Sequence, residues 1–354
     1  MVKRFHTLLS GSRLMRLRRL LPCRLPPCLL PSRVLAPYLL ASIIALGLLL
    51  GSLMLGSQGL SKEALGHLIQ GNATPFEQWQ AFTLRLPRAL VALCTGFALG
   101  VSGALFQGIT RNPLGSPDII GLTASASLGA LLASSWLVGI VSTTMGAALG
   151  AIIGTLAVYS GSGHGFRHPS SMIVAGIAIN ALALAGVQLN LTWMGDEQAR
   201  DAMIWLSGSV AGRQWHDLWP VLSLCLLLLP GIALVAHRLR LMTLGDPVAK
   251  SLGVNLAASR FLSAVMGALL AGGAVATVGP IAFVSLAAPQ LALRLWRKPG
   301  PLPLAAGVVG ALLLLAADLA AQYSLPSGAL PVGVLTAGLG GVYLVYLLNR
   351  QRRG

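Results

Sequence analysis

Apolar residues in this chain gather into runs far longer than the buried stripe of a soluble helix. Ten stretches, at 38–55, 86–108, 119–137, 139–159, 171–194, 219–236, 261–278, 281–296, 302–321 and 331–348, are almost free of charge. Set against the roughly 20 apolar residues that one bilayer crossing requires, they predict an all-α, polytopic membrane protein with about ten transmembrane helices. The third and eighth stretches are short or broken by glycine and proline. Between the runs lie polar segments, and the one at 241–255, LMTLGDPVAKSLGVN, carries helix chemistry of its own. Asp246 is placed to cap a helix by accepting a backbone N–H. Pro247 suits the first helical position, where its missing N–H costs nothing. Residues 248–252 make little more than one turn, and Gly253 supplies a left-handed stop. Asn255 is placed to cap the next helix. So short and well capped a helix fits either a tidy connector or an element built to be gripped by another chain.

An even number of crossings puts both termini on one side. With the termini cytoplasmic, the inner segments hold 20 Lys and Arg and the outer segments five, at Lys62, Arg85, Arg88, Arg200 and Arg213. Basic residues accumulate on the cytoplasmic side of membrane proteins, so this bias predicts cytoplasmic termini and a cytoplasmic 241–255 segment. The balance of +16 is spread between apolar runs instead of forming one patch, which argues against a nucleic-acid partner. At 55% hydrophobic and 10% charged, with a mean hydropathy of +0.78, the chain falls well short of the roughly 25% charge of a soluble domain. Residues 1–36, rich in Arg, Leu and Pro, stand apart from a single transmembrane domain at 37–350. Arg16, Arg18, Arg19 and Arg24 break any apolar core there, so a cleaved signal is not expected. The segment reads as a basic cytoplasmic extension, with an interfacial amphipathic segment as the alternative.

Two outer segments are polar: 57–83, expected as a long loop with Pro75, Glu77 and Trp79, and 196–217, expected to hold an amphipathic helix anchored by Trp205, Trp215 and Trp219. Glycine recurs at helical spacing in Gly96, Gly100 and Gly103, and again in Gly146 and Gly150. Small residues so spaced let helices approach where lipid offers no hydrophobic drive. Breaks at Asn112-Pro113 and Gly279-Pro280 need protein or a water-filled cavity over them.

The chemistry is as informative for what is missing. There are no paired carboxylates in a span, no HExxH, no GxSxG and no GxxxxGK[ST] phosphate loop. The four cysteines, Cys23, Cys28, Cys94 and Cys225, have no CxxC or metal-ligand spacing. An enzyme, a metal site and a bound cofactor are therefore not expected. Ion-coupled transporters place ionisable groups in mid-membrane. Here Asp318, late in the ninth span, is the exception, and it reads as a helix-end hydrogen-bond partner in preference to a proton relay. Asn180, Gln188 and Asn190 in the fifth span either line a pathway or tie helices together. A channel-like or ATP-driven permease whose engine is another chain fits best, with an ion-coupled secondary transporter as the alternative from a different class.

Four blocks make this specific. They are RLPRALVALCTGFALGVSGALFQGITRNPLGSPDIIGLTASASLGA at 85–130, LGDPVAKSLGV at 244–254, GPIAFVSLAAPQLA at 279–292, and ADLAAQ followed by LPVGVLTAGLGG within 317–341. In order and spacing they resemble the iron–siderophore and cobalamin permease family of ABC importers. The resemblance implies a ten-helix subunit in the bacterial inner membrane. It would pair with a second permease subunit, expected to be a different chain, above two ATP-binding subunits. A periplasmic siderophore-binding protein would deliver the cargo. It implies import of a ferric siderophore, closest to the enterobactin type, with cobalamin as the alternative. It further implies ATPase coupling through Gly245, Asp246, Pro247, Ala249, Lys250, Leu252 and Gly253. Arg85 and Arg88 of the RLPR motif would dock the binding protein, since guanidinium pairs bidentately with carboxylates; the alternative is a pair of snorkelling interface anchors. Relatives often carry arginine where Gln322 stands, so the partner subunit is expected to supply part of the docking charge. Many carry histidine where Gln290 stands, so no pH-linked role is expected there. The pathway is expected along the fifth span and near Trp205 and Val210.

Overall fold

The computed structural model describes residues 32–54, 62–163, 166, 169–323 and 330–352. The basic extension expected at 1–36 lies almost wholly outside them. The described helices are, in order, α1 (Ser32–Met54), α2 (Lys62–Gln70), α3 (Pro75–Trp79), α4 (Leu86–Thr110), α5 (Leu122–Ser135), α6 (Thr143–Gly161) and α7 (Pro169–Trp193). They continue with α8 (Asp196–Leu206), α9 (Trp215–Met242), α10 (Asp246–Ser251), α11 (Leu256–Val278), α12 (Val284–Trp296), α13 (Pro303–Tyr323) and α14 (Val332–Arg352). Each of the ten apolar stretches is helical. Among the described residues seven helices are long and apolar enough to cross a membrane. α5 and α12, of 14 and 13 residues, are the short pair that glycine and proline foreshadowed.

The polar segments at 57–83 and 196–217 differ in part from expectation. The described part of 57–83 is mostly helix: Thr74 and Glu77 form a reciprocal capping box, with Pro75 at the helix start. A π-helical turn at Gln80–Arg85 joins α3 directly to α4. In that turn the Leu86 N–H reaches back five residues to the Ala81 carbonyl, just ahead of Pro87, which has no N–H to give. Within 196–217 the helix stops at Leu206, and Trp215 already opens α9, donating its indole N–H to the Phe82 carbonyl at 2.8 Å.

The bundle closes around α4. Along it, a Cβ added at Gly96 would lie 2.4 Å from the Gly310 carbonyl oxygen of α13, and one at Gly100 would lie 2.2 Å from that of Ala306. One at Gly103 would lie 1.7 Å from the Ser285 carbonyl of α12. The glycine stripe is thus the groove into which α13 and α12 settle backbone to backbone, gaining dispersion contacts that lipid cannot supply. Gly129, Gly146 and Gly150 do the same between α5 and α6. The Gly279-Pro280 break is packed against protein, and the exposed Asn112-Pro113 break is closed by a local turn. Around Gly279-Pro280, Ser209 N–H donates to the Val278 carbonyl at 2.9 Å, and Gly333 N–H donates to Gly208 at 3.0 Å. After Asn112-Pro113, the Asn112 side chain accepts from Leu114 N–H and its carbonyl accepts from Gly115 N–H.

Contacts between helix ends define two poles. At one, Tyr38 of α1 meets Trp296 of α12 with ring centroids 4.8 Å apart, and Arg240 of α9 bonds the Pro301 carbonyl. α10 lies at this pole. The opposite pole carries Arg85 and Arg88.

Candidate functional site

At the first pole, α10 is held from both sides. Its end is built as the sequence dictates. Gly253 has φ +83°, its N–H bonds the Lys250 carbonyl at 2.9 Å, and Val254 N–H bonds the Ala249 carbonyl at 3.0 Å. That pair of bonds is the Schellman arrangement, which closes the last carbonyls of a helix. Asn255 caps α11 by accepting from Ala258 N–H at 3.0 Å. The start of α10 departs from expectation. Gly245, at φ +104°, is the N-cap; Asp246 is the first helical residue and Pro247 the second. The Asp246 side chain does not cap. It is drawn away by two guanidinium groups, because full charges outcompete an amide for a carboxylate. Arg260 of α11 donates to both of its oxygens, at 2.9 and 2.8 Å, and Arg111, just past the end of α4, donates to one of them. Partial burial pushes the Asp246 carboxyl up, but the hydrogen bonds and charges of Arg260 and Arg111 outweigh it and hold it below the ordinary carboxylate range.

Held this way, α10 turns one face inward and one outward. Ala249 and Met242 are fully buried, and Val254 beside them is nearly so. Leu244, Val248 and Leu252, four residues apart, are between 45% and 60% exposed. Val248 and Leu252, one helical turn apart, put two exposed aliphatic side chains on one side of α10, and Leu244 is exposed just ahead of the Gly245 N-cap. Of the residues the sequence singled out, Leu252 and Lys250 lie on the outward side and Ala249 is an anchor. Val248, Arg111 and Arg260 were not singled out as site residues. The signal for Arg260 was present: an arginine inside an apolar run needs a buried anion.

A cavity of about 310 Å³ lies beside the triad, bordered by Arg111, Asn112, Thr243, Gln290, Leu293 and Pro301. Gln290 donates to Gln107 at 2.7 Å, and Gln107 donates to the Leu286 carbonyl at 3.1 Å, so amides tie α12 to α4 where relatives are expected to carry histidine.

At the opposite pole the RLPR arginines are engaged within the chain. Arg85 donates to the Ser52 and Leu53 carbonyls at 2.8 and 3.0 Å, closing the end of α1. Arg88 grips Asp318 of α13 through Nε at 3.0 Å and Nη2 at 2.8 Å, and Gln322 donates to the same carboxylate at 2.9 Å. Asp318 is therefore a hydrogen-bond partner near the end of its helix, and Gln322 serves that pair. The three polar residues of α7 are not brought together. Asn190 is buried and donates to Ser135 at 3.2 Å, tying α7 to α5. Asn180 is half-buried, its backbone packed against Gly121. Gln188 is exposed on the outward face of α7. Val210 is buried, and the Trp205 carbonyl sits against Gly279. Among the described residues no three His, Cys, Asp or Glu side chains could hold a metal ion.

Comparison with known proteins agrees with this architecture. The sequence pattern of the FecCD transport family matches residues 43–350. The ferric enterobactin transport system permease protein FepG of Escherichia coli (strain K12) is 40% identical over 271 residues, covering 76% of this chain and 82% of that one. The Fe(3+)-citrate import system permease protein YfmE of Bacillus subtilis (strain 168) is 36% identical, covering 76% and 81%. The hemin transport system permease protein HmuU of Yersinia pestis is also 36% identical, covering 76% and 83%. Among solved structures, an inward-facing metal-chelate type ABC transporter superposes with a TM-score of 0.77 at 30% identity, covering 90% of this chain and 99% of that one. With a family pattern spanning nearly all the described helices and relatives this similar, the chain belongs to the FecCD transport family.

Proposed function

We propose that this chain is the permease subunit of an ATP-driven importer that carries a ferric siderophore across the bacterial inner membrane into the cytoplasm. The observation that carries the reading is α10: a short helix, capped, pinned by two arginines, and presenting Val248 and Leu252 outward, with Leu244 exposed just ahead of it. A rigid helix with exposed apolar side chains suits a seat on a separate ATP-binding subunit, and a floppy loop would absorb the push it receives. In this reading all ten helices cross the membrane, both termini and α10 are cytoplasmic, and two ATPase subunits contact this chain and a second permease subunit. Gly245, Asp246, Pro247, Lys250, Leu252 and Gly253 shape the contact, and Ala249 fixes it to the bundle. The cargo passes between the two permeases along the face of α7 that bears Gln188. FepG's name supports a catecholate siderophore such as ferric enterobactin. The pole bearing Arg85 and Arg88 receives the periplasmic binding protein, which would have to use guanidinium edges left over from their internal bonds.

The test is radiolabelled iron uptake in cells lacking this gene, complemented with it, over a panel of ferric enterobactin, ferric citrate, hemin and cobalamin. Restored uptake of ferric enterobactin alone supports the reading. Restored uptake of cobalamin alone refutes it.

A further inference from the structure

The three charges around α10 are not equivalent. Arg260 has a side chain only 5% exposed, sits one turn into α11, and bonds both oxygens of Asp246. Arg111 is 36% exposed, bonds one oxygen, and stands at φ +51° where α4 ends. It also borders the 310 Å³ cavity, so its side chain has room to swing away from Asp246. These helices reach deep. α4 is the centre of the bundle, packed through its glycines on α12 and α13, and α11 packs on it through Ser102, whose hydroxyl donates to the Gly267 carbonyl at 2.7 Å. We propose that the Arg111–Asp246–Arg260 triad is the joint through which movement of α10 enters the bundle, with Arg260 as its fixed arm and Arg111 as the arm that lets go. This rests on the reading of α10 as the ATPase seat. With Arg111 bonded, α10, α4 and α11 move as one body. When the ATPase shifts α10, the partly exposed Arg111 bond breaks first, because a hydrated pair is the cheaper to part. α4 is then free to tilt against α11 and change the cavity between α4 and α12.

The test needs no knowledge of the cargo. In the complex purified through a tag on this chain, with native Cys23, Cys28, Cys94 and Cys225 changed to alanine, Leu293→Cys places one thiol at the cavity. Its rate of labelling by an aqueous maleimide is read without nucleotide and with ATP plus vanadate. The proposal expects the two rates to differ by about fivefold or more, the low end of ordinary coupling between sites. Arg111→Gln should bring the ratio close to one while the complex still assembles and hydrolyses ATP. Arg111→Lys, which keeps the charge but not the fork, should give an intermediate ratio and stands as the readout if Arg111→Gln does not assemble. An unchanged ratio in either variant, or no nucleotide dependence in the parent, overturns the joint. A separate Lys250→Cys crosslink to the ATPase subunit keeps the two ideas apart. If the crosslink never forms, the seat itself is wrong; if it forms and the ratio ignores Arg111, only the joint fails.

Discussion

The bond between Arg88 and Asp318 offers a quantitative handle on what the RLPR motif does. Asp318 is 2% exposed and Arg88 22%, and the pair is bidentate with Gln322 as a third partner. Asp318→Asn removes the charge at nearly constant shape and strands the guanidinium. Removing one member of a fully buried pair costs about 3–5 kcal/mol, because the survivor stays desolvated and uncompensated. Arg88 can recover part of its hydration through its exposed edge, so the expected loss here is about 2–3 kcal/mol. For a chain of this size that lowers the unfolding midpoint by roughly 3–4 °C. Arg88→Met alone should cost a similar amount, since it leaves Asp318 with Gln322 as its remaining side-chain partner. The double variant Arg88→Met with Asp318→Leu replaces the pair by apolar contacts and should return close to the parent, as buried pairs replaced by hydrophobic residues generally do. Thermal unfolding of the detergent-purified protein, read over the complete cycle, checks this. Strict additivity, with each single variant within about 0.5 kcal/mol of the parent, would refute the internal role and return Arg88 to the binding protein.

Other expectations follow from the same geometry. Gly103→Val should lose more than the usual 1–3 kcal/mol of an overpacked core, because its Cβ would sit 1.7 Å from the Ser285 carbonyl, a backbone atom that cannot swing aside; Gly338→Ala, with nothing within 4 Å, should be tolerated, and folded yield in detergent separates the two. Gly253→Ala meets open space but a φ of +83°, so it should cost about 1 kcal/mol of left-handed strain and loosen α10, seen as faster protease cleavage there with insertion unchanged. The Asp246 carboxyl is held below its ordinary value when folded, so its stabilisation is complete above the unfolded pKa near 3.9 and fades only as pH falls through the lower folded value. Protease sensitivity of α10 should therefore be flat from about pH 5 to 8 and rise only below about pH 4; a step near neutrality would contradict the ion triad.

How much of this could be read in the sequence depended on whether a feature was local. That the ten apolar stretches are helical was legible because a run of apolar residues in lipid has little choice but to bond its backbone internally. Gly253 and Asn255 did what their local chemistry predicts, since a left-handed stop and an N-cap involve only neighbours a few residues away. The stripe Gly96, Gly100 and Gly103 announced close packing, though not which helices would fill it. Asp246 shows where local reasoning ended. Next to a proline and before a helix it looks like a cap, and only the fold brings Arg111, 135 residues away, to claim it. Asp318 looked alone for the same reason, with Arg88 lying 230 residues earlier. The stretch at 57–83 reads as a loop because it is polar, yet Thr74, Pro75 and Glu77 spell a capping box. Asn180, Gln188 and Asn190 share a helix but not a face, which their spacing of eight and two residues already implied at 3.6 residues per turn.

The central claim is that this chain transports iron chelates by borrowing the work of a separate ATPase through α10. It is tested most directly in liposomes holding the purified complex, loaded with or without ATP, with ferric enterobactin and its binding protein supplied outside. The account predicts uptake that requires ATP and the ATPase subunits, is indifferent to a proton or sodium gradient, and disappears when Val248 and Leu252 on α10 are changed to aspartate. Uptake driven by an ion gradient with this chain alone would contradict it.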